Sequence, residues 1–526
     1  MRFRLKELFK SNIAVYLVFV IFTLICYGNI LPNKLFYDDE ELIYKNAYIA
    51  DLHYLPKYFT QNMVAGAGKT SNMYRPVLLI SLAFDHFIWG LNPVGYHLTS
   101  IALHLGNGIM IFLLINMLFG SRILAIVSAL FFLIHPVQTE AVTYASGRTD
   151  LLYSFFGLIC INLFLIYCSN VKKWAPFYLL SVLFFLLSLL SKETAVVLPL
   201  AIILCFYVLS QKNKIKILPS QISLSVSWYF LIDIIYIVLR LTVLNFANTL
   251  NFYKEANSYS QNIATRFFTF TGVFFEYLKV LLFPKDLIFA RNIDIITTAI
   301  NLSVIIFVIL AVITVFYFSI TGKKNPVVFF YFFWFFIFLL PSSGIIPINS
   351  IIAEHYLYLP SIGFFLFISY LFNFFLRKYN STYLKFFLVI ILLTIISVFS
   401  IRTIIRNYDW KDPITFYNKS LTQSPNNIPM RHNLAMAYSE KGEFETAIKE
   451  YQYIIAASDV YPNTHHNLGN IYKEQKKYKD AEEEYLKALQ IDRNFIFSYY
   501  ALADLYKLTG ETEKLNNVLE ILKKYQ

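Results

Sequence analysis

Tyr37-Asp38-Asp39-Glu40-Glu41 sets four carboxylates side by side just after the first long apolar run. Like charges so close raise one another's pKa, so the group suits a general base or a bound cation. Three further stretches mix acids and bases. They are His135-Pro-Val-Gln-Thr-Glu140 with Ser146-Gly-Arg148-Thr-Asp150, then Ser191-Lys192-Glu193-Thr194, then Ala353-Glu354-His355-Tyr356 after Pro341-Ser-Ser-Gly344. Arg148 has the planar fork that grips phosphate bidentately, and Lys192 is a second candidate phosphate contact. Arg75, in Met73-Tyr74-Arg75-Pro76, and His97 are candidate substrate contacts. Each cluster alone also has a plainer reading as a solvated loop, a helix cap or an ion pair between helices. No Cys/His ligand spacing and no H-E-x-x-H occurs, so neither cofactor nor metal is expected, an Asp/Glu-bound cation staying open. Ala67-Gly68-Lys69-Thr70 imitates the end of a P-loop, but Met63 stands where that motif needs glycine.

The elements that must position these residues are mostly apolar. Of 526 residues, 57% are hydrophobic, 18% aromatic and 15% charged, and the mean hydropathy is +0.54. Soluble domains carry about 25% charged residues, so lipid must solvate most of this chain. Runs of spanning or near-spanning length fall near 12–31, 98–119, 123–136, 151–168, 176–190, 195–210, 221–244, 296–320, 327–346, 357–376 and 384–401. Basic residues at the N-terminus, Arg122, Lys172/Lys173, Lys212/Lys214/Lys216, Lys323/Lys324 and Arg377/Lys378/Lys385 sort to one side of an arrangement with about eleven spans. The run 266–283 carries Glu276 and Lys279, costly at membrane depth, and reads as interfacial or re-entrant. Asn12 to about Leu31 follows Arg2, Arg4, Lys6 and Lys10 like a signal peptide but lacks an A-x-A-like site, and reads as an uncleaved first span. The N-terminus is then cytoplasmic. Every cluster of the first paragraph falls on the opposite face, beginning with a long first loop (about 32–96).

The net charge of +12 is spread over short loops and forms no phosphate-binding face, which argues against nucleic acid. Cys26, Cys160, Cys168 and Cys205 all sit in apolar runs and read as small core hydrophobes. Beyond residue 405 the composition turns polar. There Leu434, Leu468 and Leu502 recur at 34-residue intervals, as do Ala435, Gly469 and Ala503, and Tyr438, Tyr472 and Tyr506. That period marks tetratricopeptide (TPR) repeats, three of them, the third decaying at Leu515 as a cap would. The division expected is 1–405 for the membrane domain and 406–526 for an α-solenoid that binds protein or, alternatively, only caps the domain. His432, His465 and His466 read as solvated helix residues.

The ordered motifs resemble a known family: Asp-Asp after the first span, Tyr-Arg-Pro, Gly90-Leu-Asn-Pro-x-Gly-Tyr-His97, His-Pro-x-x-Thr-Glu-Ala-Val, Gly-Arg-x-Asp-Leu-Leu, Ser-Lys-Glu-Thr, Glu-x-Tyr-Leu-Tyr-Leu-Pro-Ser-x-Gly, then TPRs. Together they are similar to the transmembrane and TPR-containing O-mannosyltransferases and their bacterial relatives, along nearly the whole chain. The resemblance implies an all-α, polytopic GT-C-type glycosyltransferase that uses a polyprenyl-phosphate sugar, with mannose expected, on the extracytoplasmic side. It makes Asp38 or Asp39 the catalytic base, Arg148 and Lys192 the donor-phosphate contacts, and Glu140, Asp150, Glu193 and Glu354 polar site residues. Relatives commonly carry Arg where His355 stands, so a phosphate contact there would be weaker and pH-dependent.

The expected partners are the lipid-linked donor, a protein or peptide acceptor held by the TPRs, and the bilayer. The compositional bias to Ile, Phe, Asn, Lys and Tyr points to a bacterial inner membrane, with the TPRs periplasmic. Rival readings are a polysaccharide ligase or polymerase using lipid-linked oligosaccharide, a non-catalytic TPR membrane scaffold, and a transporter. A scaffold needs few spans, and no internal repeat of spans favours transport.

Overall fold

A computed structural model describes residues 12–169, 171–211, 219–247, 257–289, 291–321, 325–346 and 350–525. The basic clusters at the N-terminus, Lys212/Lys214/Lys216 and Lys323/Lys324 lie outside these residues, as do the side chains of Lys172 and Lys173. Among the described residues all regular structure is helical. The chain divides into two compact units, Met1–Lys411 and Asp412–Gln526.

The first unit is that of an integral membrane protein. Among the described residues eight helices are long and apolar enough to cross a bilayer: Asn12–Ile30, Pro93–Phe119, Ala145–Cys168, Glu193–Ser210, Ser223–Leu241, Leu302–Ile320, Pro360–Lys378 and Thr382–Tyr408. Arg122–Ile134 and Pro136–Thr143, bent by 53°, pass together as a ninth, and Ala175–Leu189 and Pro326–Ser342 are shorter apolar helices at the two remaining expected positions. The expected span 296–320 begins later, because Asn301 caps Leu302–Thr321 and the residues just before it are irregular or turn. Leu302–Ile320 has only 6% of its length buried, the mark of a lipid-facing helix. The run at 266–283 is a helix, Ile263–Leu282, that is not among the spans. Its Arg266 bonds Gly344 O (2.6 Å) and Ser260 O (2.8 Å), and its Glu276 pairs with Arg291 (2.8 Å).

The first and last spans are tied by amides. Asn407 donates to Cys26 O and to Asn29 Oδ1, each at 2.7 Å, while Asn29 donates to Ile404 O (3.0 Å). Buried side-chain amides whose donors are matched to carbonyls hold helix ends in register. The residues after the first span are thereby set beside the end of the last one.

The long first loop is not a simple loop. It folds into short turns around a 14-residue apolar helix, Pro76–Trp89, whose Leu78, Leu79 and Leu82 are buried. Proline at its first turn and Gly90 past its end, at φ 58, supply ordinary start and stop signals.

The second unit is a helical array: Pro413–Leu421, then pairs Ile428–Glu440 with Phe444–Ala457, Pro462–Glu474 with Tyr478–Ile491, and Ile496–Thr509 with Thr512–Leu522. Ala435, Ala447, Ala481, Tyr451 and Tyr485 are wholly buried. A Cβ on Gly469 would come within 2.7 Å of the Tyr485 ring, so the small residue there is a packing requirement. The turns inside the three pairs place Gly442, Lys476 and Gly510 at φ 82, 59 and 78, one left-handed residue per repeat. His465 is not solvated. It is buried, with Nδ1 2.5 Å from Glu484 and Nε2 2.7 Å from Asp459.

Candidate active site

Tyr37, just past the first span, has φ 62, a left-handed conformation unusual for a residue with a side chain, and Glu40–Tyr44 is a π-turn. Such backbone persists only where its surroundings over-determine it, and it clusters at functional sites. The contacts that hold it are specific. Asp39, 2% exposed, accepts from Ser146 N (2.8 Å) and Ser146 Oγ (2.5 Å) on one carboxylate oxygen. The Asp38 N–H donates to Tyr144 Oη (3.2 Å), and the same hydroxyl bonds the Asp38 carboxylate. Ser146 can reach Asp39 because residue 147 is glycine, where a Cβ would lie 2.9 Å from Glu140 O.

The two carboxylates differ. Asp39 is pushed up to about 7, first by burial and then by the charge of Asp38, against the bonds from Ser146. Asp38 is reached by solvent yet crowded by protein, which raises it too, opposed by Tyr144 and by the nearby charge of Arg75. Aromatic rings wall this corner. Tyr144 stacks on Trp410 at 5.3 Å, and Phe289 meets Tyr37 at 5.4 Å and Trp410 at 5.5 Å, edge to face.

The remaining groups form a chain of ion pairs. Arg75 grips Glu193 bidentately at 2.7 and 3.2 Å. Lys192 reaches both oxygens of Asp150 at 2.7 and 2.8 Å, with the rings of Tyr153 and Tyr356 each 5.9 Å from its ammonium. Glu140 accepts from His355 N (3.2 Å) and lies 2.6 Å from His355 Nδ1. Glu354 pairs with Arg406 at 3.4 Å and accepts from Ile288 N. The pairs share one field. Burial raises Tyr356, as do the charges of Asp150 and Glu140, while Arg75 lowers it. Glu354 is raised by burial and by Glu140, against Arg406. Arg75 stays charged despite its burial because Glu193 outweighs the lost hydration.

Three expected contacts stand elsewhere. Arg148 is wholly buried, paired with Asp85 (2.6 Å) and donating to Ser81 Oγ (3.0 Å) and Tyr96 O (2.8 Å). Its fork is occupied, so the phosphate role assigned to it is withdrawn. Its partner belongs to Pro76–Trp89, the helix hidden in the presumed loop. His97, buried, faces Asn33 O (3.1 Å), and His135, also buried, faces Leu281 O (3.1 Å) while accepting from Val137 N (3.2 Å). Both brace backbone.

Tyr144 and Arg406 line the candidate site but were absent from the sequence candidates, and Ser146 was named only as the start of its motif. Arg402 and Arg406 did carry a signal. They sit at the end of a long apolar run, where ionisable side chains are costly unless they turn to inward partners. Among the described residues no three His, Cys, Asp or Glu side chains group so as to hold a metal ion.

Residues 416–449 and 462–495 match models described as tetratricopeptide repeat. The mouse protein O-mannosyl-transferase TMTC3 is 25% identical over 474 residues, covering 83% of this chain and 50% of that one. The Caenorhabditis elegans protein O-mannosyl-transferase F38B6.6 is 25% identical, covering 86% and 64%, and human TMTC4 is 24% identical, covering 81% and 64%.

The chain is a homologue of the protein O-mannosyl-transferases.

It spans between half and about two-thirds of the length of these relatives. Among solved structures, an Archaeoglobus fulgidus oligosaccharyltransferase aligns with TM-score 0.42 and 12% identity over 84% of this chain and 58% of that one. Relative to its O-mannosyl-transferase homologues, the chain thus aligns through both the membrane unit and part of the repeat unit.

Proposed function

We propose that this chain is a membrane glycosyltransferase of the GT-C type. It moves a sugar, with mannose the leading candidate, from a polyprenyl-phosphate donor to a hydroxyl of a protein acceptor on the extracytoplasmic face. The observation that carries this reading is the solvent-reached Asp38 carboxylate. It is fixed by Tyr144, backed by buried Asp39 and faced by Arg75, on one face of a bundle of spans. The homologues named O-mannosyl-transferases support the reaction class.

In the proposed reaction Asp38 takes the proton of the acceptor hydroxyl as its oxygen attacks C1 of the sugar. The C1–O bond to the lipid phosphate breaks, the electron pair leaves with the phosphate, and the configuration at C1 inverts. Asp38 is assigned the base because solvent, and so an acceptor, reaches it; Asp39, buried and bonded by Ser146, orders the turn that presents Asp38.

The phosphate needs cations that can let go of their partners. Arg75 fits best, because the side chain of its partner Glu193 is 46% exposed and can be rehydrated. Lys192 and the partly exposed His355 complete the proposed cradle. The neighbourhood is acidic on balance: Asp38, Asp39, Glu140, Asp150, Glu193 and Glu354 face Arg75, Lys192 and Arg406. An entering phosphate therefore displaces carboxylates that are already matched, and the raised Asp39 and Glu354 lower that cost by taking up protons. The TPR unit is proposed to bind the acceptor protein.

The test is label transfer from polyprenyl-phosphate mannose to protein by the purified chain. Asp38→Asn is expected to lower the rate by ~10²–10⁴-fold, the usual worth of a positioned base. Full activity in that variant would end the proposal. Transfer of an oligosaccharide mass instead of a single hexose would favour the polysaccharide ligase reading.

A further inference from the structure

The helix Pro360–Lys378 leads away from the candidate site, beginning just after the turn Glu354–Leu357. Its 19 residues at ~1.5 Å each cross about the hydrocarbon thickness of a bilayer, so its far end reaches the opposite membrane boundary. There it carries a groove of about 560 Å³ lined by Tyr370, Asn373, Phe374, Arg377 and Lys378. Positions 370, 373, 374, 377 and 378 share one helical face.

Among the described residues the cations of this groove have no carboxylate partner. Neither Arg377 nor Lys378 forms an ion pair with a described carboxylate, whereas Arg75, Arg148, Lys192, Arg291 and Arg406 all do. Lys378 instead lies over Phe374 and Tyr379, 5.7 and 5.6 Å from their ring centroids. Asn373 lines the groove, and no described residue hydrogen-bonds its amide. Tyr370 accepts from Asn325 Nδ2 (2.7 Å), which fixes the inner wall.

We propose that this groove binds the headgroup of an anionic phospholipid. Arg377 and Lys378 would meet the phosphate, Arg377 bidentately, and the Asn373 amide would take a glycerol or headgroup oxygen. The acyl chains would lie along the apolar side chains of Phe374 and Phe375, which are exposed beside the groove. Cations that served only to set topology would need neither a groove nor an amide lining it. A soluble anion would have no use for the apolar flank. Paired cations at the membrane end of a span attract anionic headgroups.

Native mass spectrometry of the full chain in neutral detergent, doped with phosphatidylglycerol or phosphatidylcholine, tests this. Two cations beside the headgroup imply a preference of about thirtyfold for phosphatidylglycerol. Arg377→Gln/Lys378→Gln is expected to abolish the preference. Asn373→Leu, which keeps both topology-setting charges and so guards against misinsertion, is expected to weaken the adduct several-fold. Equal binding of the two lipids, or wild-type adducts in both variants, would overturn the proposal. So would complete displacement of phosphatidylglycerol by millimolar inorganic phosphate, which would make the groove a site for soluble anions.

Discussion

At Asp38 and Asp39 two adjacent carboxylates take different work because one backbone twist at Tyr37 sends one to solvent and the other into the fold. Tyr144 is the hinge of this division. Tyr144→Phe keeps the stacking on Trp410 but removes the bond that lowers Asp38. The rate should fall about tenfold or more, in line with one lost hydrogen bond to a charged group. The sign for pH follows from the base being active only when deprotonated. Because Asp38 is raised, wild-type transfer declines as pH falls through a value above the ordinary ~3.9 of aspartate. In Tyr144→Phe that acidic limb should move to still higher pH, and an unmoved limb would remove Tyr144 from this role. Arg148 makes the contrasting case. Asp85→Asn strands a buried guanidinium, which should cost about 3–5 kcal/mol. Asp85→Asn/Arg148→Met should recover part of that, as read by thermal unfolding in detergent. Residue type made Arg148 look like a phosphate ligand; only the position of Asp85 revealed that its fork is filled.

Among the elements, the repeats were the most legible, because a 34-residue period repeats the same packing demand at each turn, as Gly469 against Tyr485 illustrates. The period says nothing of polar pairs between helices, and so His465 was misjudged. Both its ring nitrogens face carboxylates, which raises it despite its burial. A group raised on folding stabilises fully below its unfolded pKa of ~6.5, and that contribution is lost as pH climbs through the folded value. Hydrogen exchange should therefore show protection across Pro462–Glu474 declining from pH 6 to pH 8.5, and His465→Gln should lack that decline. The short apolar helix Pro76–Trp89 was missed for a related reason. Fourteen residues are too few to span, so hydropathy counting left them in a loop, whereas burial against neighbouring helices makes them core.

For the molecule as a whole, the proposed orientation places Lys57 and Glu520 outside and Asn380 inside. All four cysteines are buried, so single cysteines introduced at these exposed positions should report without background. A membrane-impermeant maleimide applied to intact cells or spheroplasts should label Lys57→Cys and Glu520→Cys and spare Asn380→Cys. The reverse pattern would invert the topology and move the candidate site to the cytoplasm.

Sequence by itself determined the class of the protein. A membrane unit of apolar helices and a repeat array follow from local quantities: run length and period. Tertiary structure decided which charges are free to act. An ion pair such as Arg148 with Asp85 or Arg406 with Glu354 joins residues far apart in the chain. Whether a charge is spent inside the fold or left for a substrate depends on that pairing, which no local pattern records.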